Sequence, residues 1–332
     1  MHAMAIEAGA LVPVRLPVPA LLPGEVLIRV AYAGVNRADL LQVAGHYDPP
    51  PGASPLPGLE VSGTVVAQAD EAGAWMPGQT VAALLAGGGY AEYVAVPATQ
   101  LLALPPGVAL REAASLPEAA ATSMMALGEE GRLQAGERVL IHGGTSGVGL
   151  LMVQIARGLG AEVVTTVGSE EKRQFLAMRG IVAVNHRAAP FGEQVLAATG
   201  GAGVDVIIDT LGGPALPQHL RLLRPGGRLV SLAMLEGSAL PEGTKMTRLL
   251  LHSLRWSGAT LRNRTLREKA ALLAQVQQQV WPQLAAGTIQ PVIDTVFPLT
   301  EAKKAHARMQ ERLHLGKILL EVPASGFRVS GM

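Results

Sequence analysis

The spacing of apolar positions changes twice along the chain. Up to about residue 100 they fall in short runs rich in β-branched side chains and bounded by Pro or Gly, at 25–30, 59–66 and 79–85. Between these runs lie Asp48-Pro49-Pro50-Pro51-Gly52 and Met76-Pro77-Gly78, which are turn chemistry. The pattern predicts a small β-rich domain. From about residue 111 the texture is Ala-rich and helical to 127, interrupted by Pro117. Strand and helix periods then alternate. Short apolar runs at 138–142, 162–167, 181–185, 204–209, 228–233 and 256–261 read as six strands with helical stretches between them. Val148, Leu151, Met152, Ile155 and Leu159 recur at helical spacing until Gly160, and the helix over 170–179 ends at Gly180. Six strands alternating with helices is the pattern of a doubly wound parallel sheet. The tail departs from it, with a long helix at 266–284 and strands at 291–297 and 316–322 around a helix at 300–312. Such a tail is expected to pack back on the first domain, leaving the α/β domain as an insertion.

Composition narrows the chemistry. A chain of 332 residues predicts about two domains, and 49% hydrophobic residues supply their cores. Lys+Arg 27 against Asp+Glu 26 gives a net charge of +1, so no nucleic-acid partner and no anionic membrane is expected. The cysteine count is 0, which excludes disulfides, a thiolate nucleophile, Cys-ligated zinc and iron–sulfur clusters. No charged segment followed by an apolar one opens the chain, and no apolar run approaches the ~18 residues of a membrane span. A cytoplasmic location is the expectation.

The most informative segment is Val139-Leu140-Ile141-His142-Gly143-Gly144-Thr145-Ser146-Gly147-Val148-Gly149. Gly144 and Gly149 hold the outer positions of a dinucleotide fingerprint, with Ser146 in place of the middle glycine. The segment follows a buried strand and opens an amphipathic helix, the context in which backbone N–H groups and the helix dipole receive a pyrophosphate. At the end of the next strand stand Val167-Gly168-Ser169, then Glu170, Glu171, Lys172 and Arg173. An NAD site places Asp or Glu at that tip. A small residue, a hydroxyl and two cations suit a 2′-phosphate, so NADPH is the expected cofactor. The alternative is that Lys172 and Arg173 pair locally with the two glutamates.

Two dehydrogenase chemistries fail on residue content. The residues four beyond Tyr32, Tyr47, Tyr90 and Tyr93 are Asn36, Pro51, Val94 and Pro97, so no Tyr-x-x-x-Lys pair exists. Without cysteine, and with eight histidines at no ligand spacing, no metal ligand set is readable.

These motifs resemble the zinc-free quinone oxidoreductase branch of the medium-chain dehydrogenase/reductase superfamily over essentially the whole chain. Gly34-Val35-Asn36-Arg37-Ala38-Asp39-Leu40 is similar to the branch signature, with Asn36 where zinc-dependent relatives carry a Cys ligand. Pro57-Gly58-Leu59-Glu60-Val61-Ser62-Gly63 is similar to the superfamily's Gly-His-Glu segment, with Leu59 replacing the His ligand. The segments 45–52 and 142–149 look closest to the p53-inducible quinone oxidoreductase type. The resemblance implies a GroES-like β-rich catalytic domain interrupted by a Rossmann domain, here 1–118, 119–262 and 263–332, with an active site in the cleft between them. It implies NADPH, a quinone substrate, no metal and a homodimer.

Carried onto this chain, the resemblance assigns Ser146, Gly147 and Val148 to the pyrophosphate, with Gly144 and Thr145 beside them as cofactor-binding residues. Gly168, Ser169, Lys172 and His186 would surround the 2′-phosphate, with His186 departing from the usual Tyr. Thr122, Leu232 and Leu235 would lie near the nicotinamide, and Lys317 belongs to the segment that closes over the cofactor. Asn36 and Tyr47 are the candidate catalytic residues, orienting a carbonyl or stabilising a developing oxyanion. Tyr47 reads equally as a wall of the cofactor pocket, and Asn36 as a backbone cap. Besides quinone reduction, two readings stay open: reduction of α,β-unsaturated carbonyls, and a non-catalytic NADPH-binding or structural role. The strand at 256–261 is the candidate edge for dimer pairing.

Overall fold

The computed structural model describes residues 1–323; the end of the 263–332 segment lies outside the described residues. The chain forms two compact units, one from Met1–Ala121 together with the chain from Arg262 onward, the other from Thr122–Leu261. These bounds fall three residues and one residue from the expected 118/119 and 262/263.

The first unit is built on the strand Glu25–Val35, whose Val26, Ile28 and Val30 alternate inward. Its N-terminal half pairs with Tyr93–Pro97, its length with Glu60–Gln68 and its C-terminal half with Lys317–Glu321, all antiparallel. Thr80–Leu84 and Leu101–Ala103 extend one side of the sheet, and Ile293–Pro298 extends the other. The last two strands of the described residues, Ile293–Pro298 and Lys317–Glu321, are parallel and joined through the helix Ala302–Gln310. The returning tail is therefore knitted into the first sheet by backbone hydrogen bonds.

Three local expectations are corrected. The first segment, read as strands and turns, also contains the helix Arg37–Val43. Asn36 N–H donates to Asp39 Oδ2 at 2.7 Å and starts it, a capping arrangement that needs no long apolar period. The helix expected over 266–284 is two, Leu266–Gln279 and Trp281–Ala285, because Pro282 has no N–H to continue the ladder. The helical stretch near 111–127 is Leu110–Ala113 and Pro117–Ser123, continued by a π-helical segment Met124–Glu130.

The second unit holds a six-stranded sheet in the spatial order Val182–Asn185, Glu162–Val167, Arg138–His142, Val204–Asp209, Leu223–Ser231, Arg255–Gly258. Every pairing is parallel. Numbered along the chain this order is third, second, first, fourth, fifth, sixth, the Rossmann arrangement. Val139, Leu140, Ile141, Val206, Ile207 and Ile208 are all at most 1% exposed, as strands covered on both faces require. The sixth strand, expected at 256–261, ends at Gly258, with Ala259 N–H making a last contact to Ser231 O at 3.0 Å. Strand order reverses between Arg138–His142 and Val204–Asp209, and the crevice beyond their carboxyl ends is where this fold takes ligands.

Candidate functional site

In the second unit the glycine-rich turn leaves Arg138–His142 and enters the helix Gly147–Gly158. Ser146, which occupies the middle fingerprint position, is the N-cap: its Oγ accepts Gly149 N–H at 3.0 Å, and its carbonyl accepts Leu150 N–H at 2.9 Å. The serine therefore satisfies two first-turn donors and leaves those of Gly147 and Val148, without intrahelical partners, for an anion. A Cβ on Gly144 would stand 2.0 Å from Thr165 Oγ1, and one on Gly149 2.2 Å from Gly143 O. Only glycine lets turn, strand and helix pack this closely. The chain's own residues thus fit a dinucleotide pyrophosphate. Thr145 is 3% exposed, so its side chain is part of the packing.

At the tip of the second strand, Ser169 caps the helix Glu170–Ala177, its Oγ accepting Lys172 N–H at 3.3 Å. Arg173 is held by Glu170 in a fork with contacts of 2.6, 2.8 and 3.0 Å, so the local-pairing reading applies to that cation. A different arginine stands at the tip. A Cβ on Gly168 would lie 3.4 Å from Arg187 Nε and 3.6 Å from His186 Cε1. Sequence reading missed Arg187, two residues past the end of the third strand; a cation just beyond Asn185-His186 was the available signal. A cavity of about 250 Å³ opens beside it, lined by His186, Arg187, Phe191, Leu211, Gln218 and Glu236 among others. Leu232 and Leu235 follow the fifth strand, their N–H groups bonded to Asp209 O at 2.8 Å and Thr210 O at 3.0 Å. Thr122 is partly buried on the helix Pro117–Ser123, at the start of this unit.

Histidines read as scattered in sequence meet at the switch point. His142 Nε2 and His219 Nε2 are 2.8 Å apart, and His142 Nδ1 is 2.9 Å from Thr166 Oγ1. Together with Asp209 they place one ligand-type atom each within 4.8 Å of one another. Asp209 is already engaged, its oxygens accepting Leu211 N–H, Gly212 N–H and Ser231 Oγ–H. Burial pushes His142 well below the ordinary imidazole value and His219 down to about 3, so both stay neutral. The cluster is a hydrogen-bonded plug beneath the glycine-rich turn.

In the first unit the positions compared with zinc ligands are occupied by a closed polar knot. Lys317 Nζ donates to Asn36 Oδ1 at 2.8 Å and to Glu60 Oε1, and Asn36 Nδ2 donates to the same Glu60 oxygen at 2.9 Å. Glu60 Oε2 accepts Glu118 N–H at 3.0 Å. Leu59 is 1% exposed and offers no donor atom. With an ammonium already at the carboxylate and an apolar side chain beside it, these residues do not fit a zinc ion. Two expectations change here. Asn36 is 7% exposed, with its amide oxygen and one amide hydrogen committed inside the knot, so it positions Glu60 and Lys317 rather than a substrate carbonyl. Lys317, placed by the resemblance in the segment that closes over the cofactor, is 4% exposed with its ammonium committed to the same knot.

Tyr47 lies half-buried in the Pro-rich loop after Arg37–Val43, with its phenol pushed up by burial and by Glu118. Its carbonyl accepts Arg262 Nη1–H at 3.2 Å, and the guanidinium carbon sits 5.2 Å from its ring centroid. Arg262 and Lys269 gave no signal in sequence. Glu118 is held up at about 8 by burial and by the neighbouring Glu60 charge. A carboxyl raised above its unfolded value contributes stability that is present below the unfolded value near 4.5 and lost as pH rises through about 8. Glu118→Gln is therefore expected to raise the melting temperature relative to wild type at pH 9 but not at pH 4.5. Equal effects at both pH values would contradict this.

Comparison with known proteins adds to this geometry. Residues 147–276 match the family described as zinc-binding dehydrogenase, and residues 22–106 the alcohol dehydrogenase GroES-like domain. A phenolphthiocerol/phthiocerol polyketide synthase of Mycobacterium tuberculosis is 34% identical over 303 residues. That match takes in 91% of this chain and only 14% of the synthase, so the chain spans about a seventh of that relative's length. The CurK enoyl reductase structure superposes with a TM-score of 0.84 at 29% identity, covering 97% of this chain and 99% of that one. A mycobacterial protein solved in complex with NADPH gives 0.83 at 30% identity, covering 97% and 99%. Among the described residues, no helix is long and apolar enough to cross a membrane.

Proposed function

Because the chain belongs to the medium-chain dehydrogenase/reductase superfamily, we propose that it is an NADPH-dependent reductase of conjugated carbonyl compounds, acting without a metal on α,β-unsaturated carbonyls. The observation that carries this reading is the pairing of Tyr47 with Arg262 in the first unit, where the zinc-ligand positions hold the Asn36–Glu60–Lys317 knot. A conjugated carbonyl is electrophilic enough to accept a hydride without Lewis-acid help, and what remains is a proton for the oxygen. Tyr47 supplies a phenol for it. Similarity to an enoyl reductase over nearly the full length supports the same substrate class.

Quinones are the second reading, favoured by Asn36-Arg37-Ala38-Asp39 and by the Tyr47 loop. A substrate panel separates the two: enones reduced to saturated ketones faster than ortho- and para-quinones support the first, and the reverse order the second. No NADPH oxidation with either class leaves only a binding or structural role.

When bound, NADPH supplies the hydride from its nicotinamide ring. Gly147 and Val148 N–H would hold its pyrophosphate, and Ser169, Lys172, His186 and Arg187 its 2′-phosphate. Arg187→Ala is expected to weaken NADPH binding about tenfold while leaving NADH binding unchanged, as loss of one charge-assisted contact implies. Equal losses for both cofactors, read from dissociation constants, would remove Arg187 from the phosphate site.

A homodimer is part of the proposal. Among the described residues, Arg255–Gly258 is an edge strand with one side unpaired, Trp256 is 41% exposed on it, and Leu250 and Leu251 stand exposed just before it. A second copy paired along this edge would continue the sheet. Sedimentation velocity giving a monomer at micromolar concentration would count against it.

A further inference from the structure

Arg262 is the most buried arginine-type charge at the candidate site, at 2% exposure, and its hydrogen bonds all go to neutral acceptors. Nε donates to Ala86 O at 2.9 Å, Nη1 to Tyr47 O at 3.2 Å and Nη2 to Gln42 Oε1 at 2.7 Å. Lys269, 4% exposed, donates its ammonium to Arg262 O at 2.7 Å. Among the described residues neither cation has a carboxylate hydrogen-bond partner. Buried charges are ordinarily paired, because the cost of taking them out of water is otherwise unreturned. Two such exceptions joined by a hydrogen bond, one of them over a tyrosine ring, call for a use.

The three acceptors belong to three chain segments: Gln42 in the helix Arg37–Val43, Tyr47 in the loop that follows, and Ala86 just after the strand Thr80–Leu84. The guanidinium thus fixes where the Tyr47 loop stands. Its charge also faces the ring, at 5.2 Å from the centroid. We propose that Arg262 is a positioning residue for Tyr47, tying its loop in place and keeping a positive charge against the ring, so that the tyrosine can release a proton to the substrate oxygen. Lys269 anchors Arg262 by donating to its backbone carbonyl.

This rests on the reductase reading of the same site. There, hydride addition at the β-carbon moves the C=C electron pair toward the carbonyl, leaving an enolate oxygen. That oxygen takes the proton of Tyr47 Oη, and the phenolate regains one from water. The sum is one hydride and one proton added per C=C, with the enol reverting to the saturated carbonyl. Around the phenol, burial and Glu118 oppose ionisation and Arg262 favours it. Around Arg262 stand Asp39, Glu118 and Asp48. Asp39 is bonded to Asn36 N–H, Gly58 N–H and Tyr90 Oη–H, and Glu118, held up at about 8, is mostly neutral at pH 7. None of the three is a hydrogen-bond partner of the guanidinium, whose donors go to Ala86 O, Tyr47 O and Gln42 Oε1.

The test reads the tyrosine itself. The chain has 4 tyrosines, so 3-fluorotyrosine labelling of the full protein gives few ¹⁹F signals, and Tyr47→Phe identifies the one required. Its ionisation midpoint is followed in wild type, Arg262→Gln, Arg262→Lys and Gln42→Glu. The last leaves Arg262 in place and gives its guanidinium a carboxylate partner, which keeps the question answerable if Arg262→Gln does not fold. The midpoint is expected to rise by about one pH unit in Arg262→Gln and in Gln42→Glu, and by less in Arg262→Lys. With an enone, kcat is expected to fall at least tenfold in the first two with KM changed less than threefold, and to be partly recovered in Arg262→Lys. An unmoved Tyr47 midpoint in the folded variants overturns the proposal and makes Arg262 a structural strap. A moved midpoint in a protein that turns over neither enone nor quinone leaves the charge coupling standing and removes the reductase reading instead.

Discussion

Replacing Lys317 by Met is expected to lower the melting temperature by roughly 6–20 °C, from a loss of about 3–5 kcal/mol. The ammonium is 4% exposed and donates to Glu60 and Asn36, so its removal strands a fully buried carboxylate. The remaining donors to Glu60, Asn36 Nδ2 at 2.9 Å and Glu118 N–H at 3.0 Å, carry no formal charge. Space around the carboxylate is already used. A Cβ on Gly34 would fall 2.3 Å from Glu60 Oε1, so the carboxylate cannot swing toward that strand. Neutralising it should therefore restore most of the loss, and Glu60→Gln/Lys317→Met is expected to melt within a few degrees of wild type. Thermal denaturation of both single variants and the double variant completes the cycle. A double variant no more stable than Lys317→Met would mean that packing of the lysine stem, and not its charge, is what the knot supplies.

That knot also shows where sequence reading stops. The Rossmann half was legible because its information is local. Strand period, turn glycines and helix period succeed one another within about thirty residues, and a parallel sheet follows from their alternation. The first unit's site is assembled from residues far apart, Lys317 and Glu60 being 257 positions from each other. No period or motif marks such a pair. One signal was available: Glu60 sits in a β-branched run between Leu59 and Val61, where a carboxylate is expected only with a partner. Lys317, heading the apolar strand Lys317–Glu321, is its counterpart. Arg262 and Lys269 carried no comparable mark, since Leu-Arg-Asn-Arg and Arg-Glu-Lys read as ordinary solvated segments. Their role exists only once the tail has returned to the first sheet. His142 and His219, 77 positions apart, were missed for the same reason.

Gly144→Ala is expected to abolish measurable NADPH binding, a loss of at least a hundredfold in affinity. The new methyl would stand 2.0 Å from Thr165 Oγ1, 2.6 Å from Cγ2 and 2.8 Å from Cβ, so no rotamer of Thr165 clears it. Thr165 cannot simply retreat, because its hydroxyl donates to Ile141 O at 2.6 Å within the sheet. The turn must move instead, and with it the N–H groups of Gly147 and Val148, whose aim at a pyrophosphate depends on Ser146 capping in place. Gly143→Ala is the control. Gly143 has φ of 72°, unfavourable for alanine by about 1 kcal/mol, yet a Cβ there meets nothing closer than 3.8 Å. It should keep NADPH binding within about tenfold, by fluorescence titration. The His142–Thr166 contact lies just beneath both residues, so comparing the two variants separates backbone strain from steric displacement at one point of the fold. If Gly144→Ala stays folded and binds NADPH like wild type, the phosphate does not sit on this turn, and the cofactor must enter the second unit elsewhere.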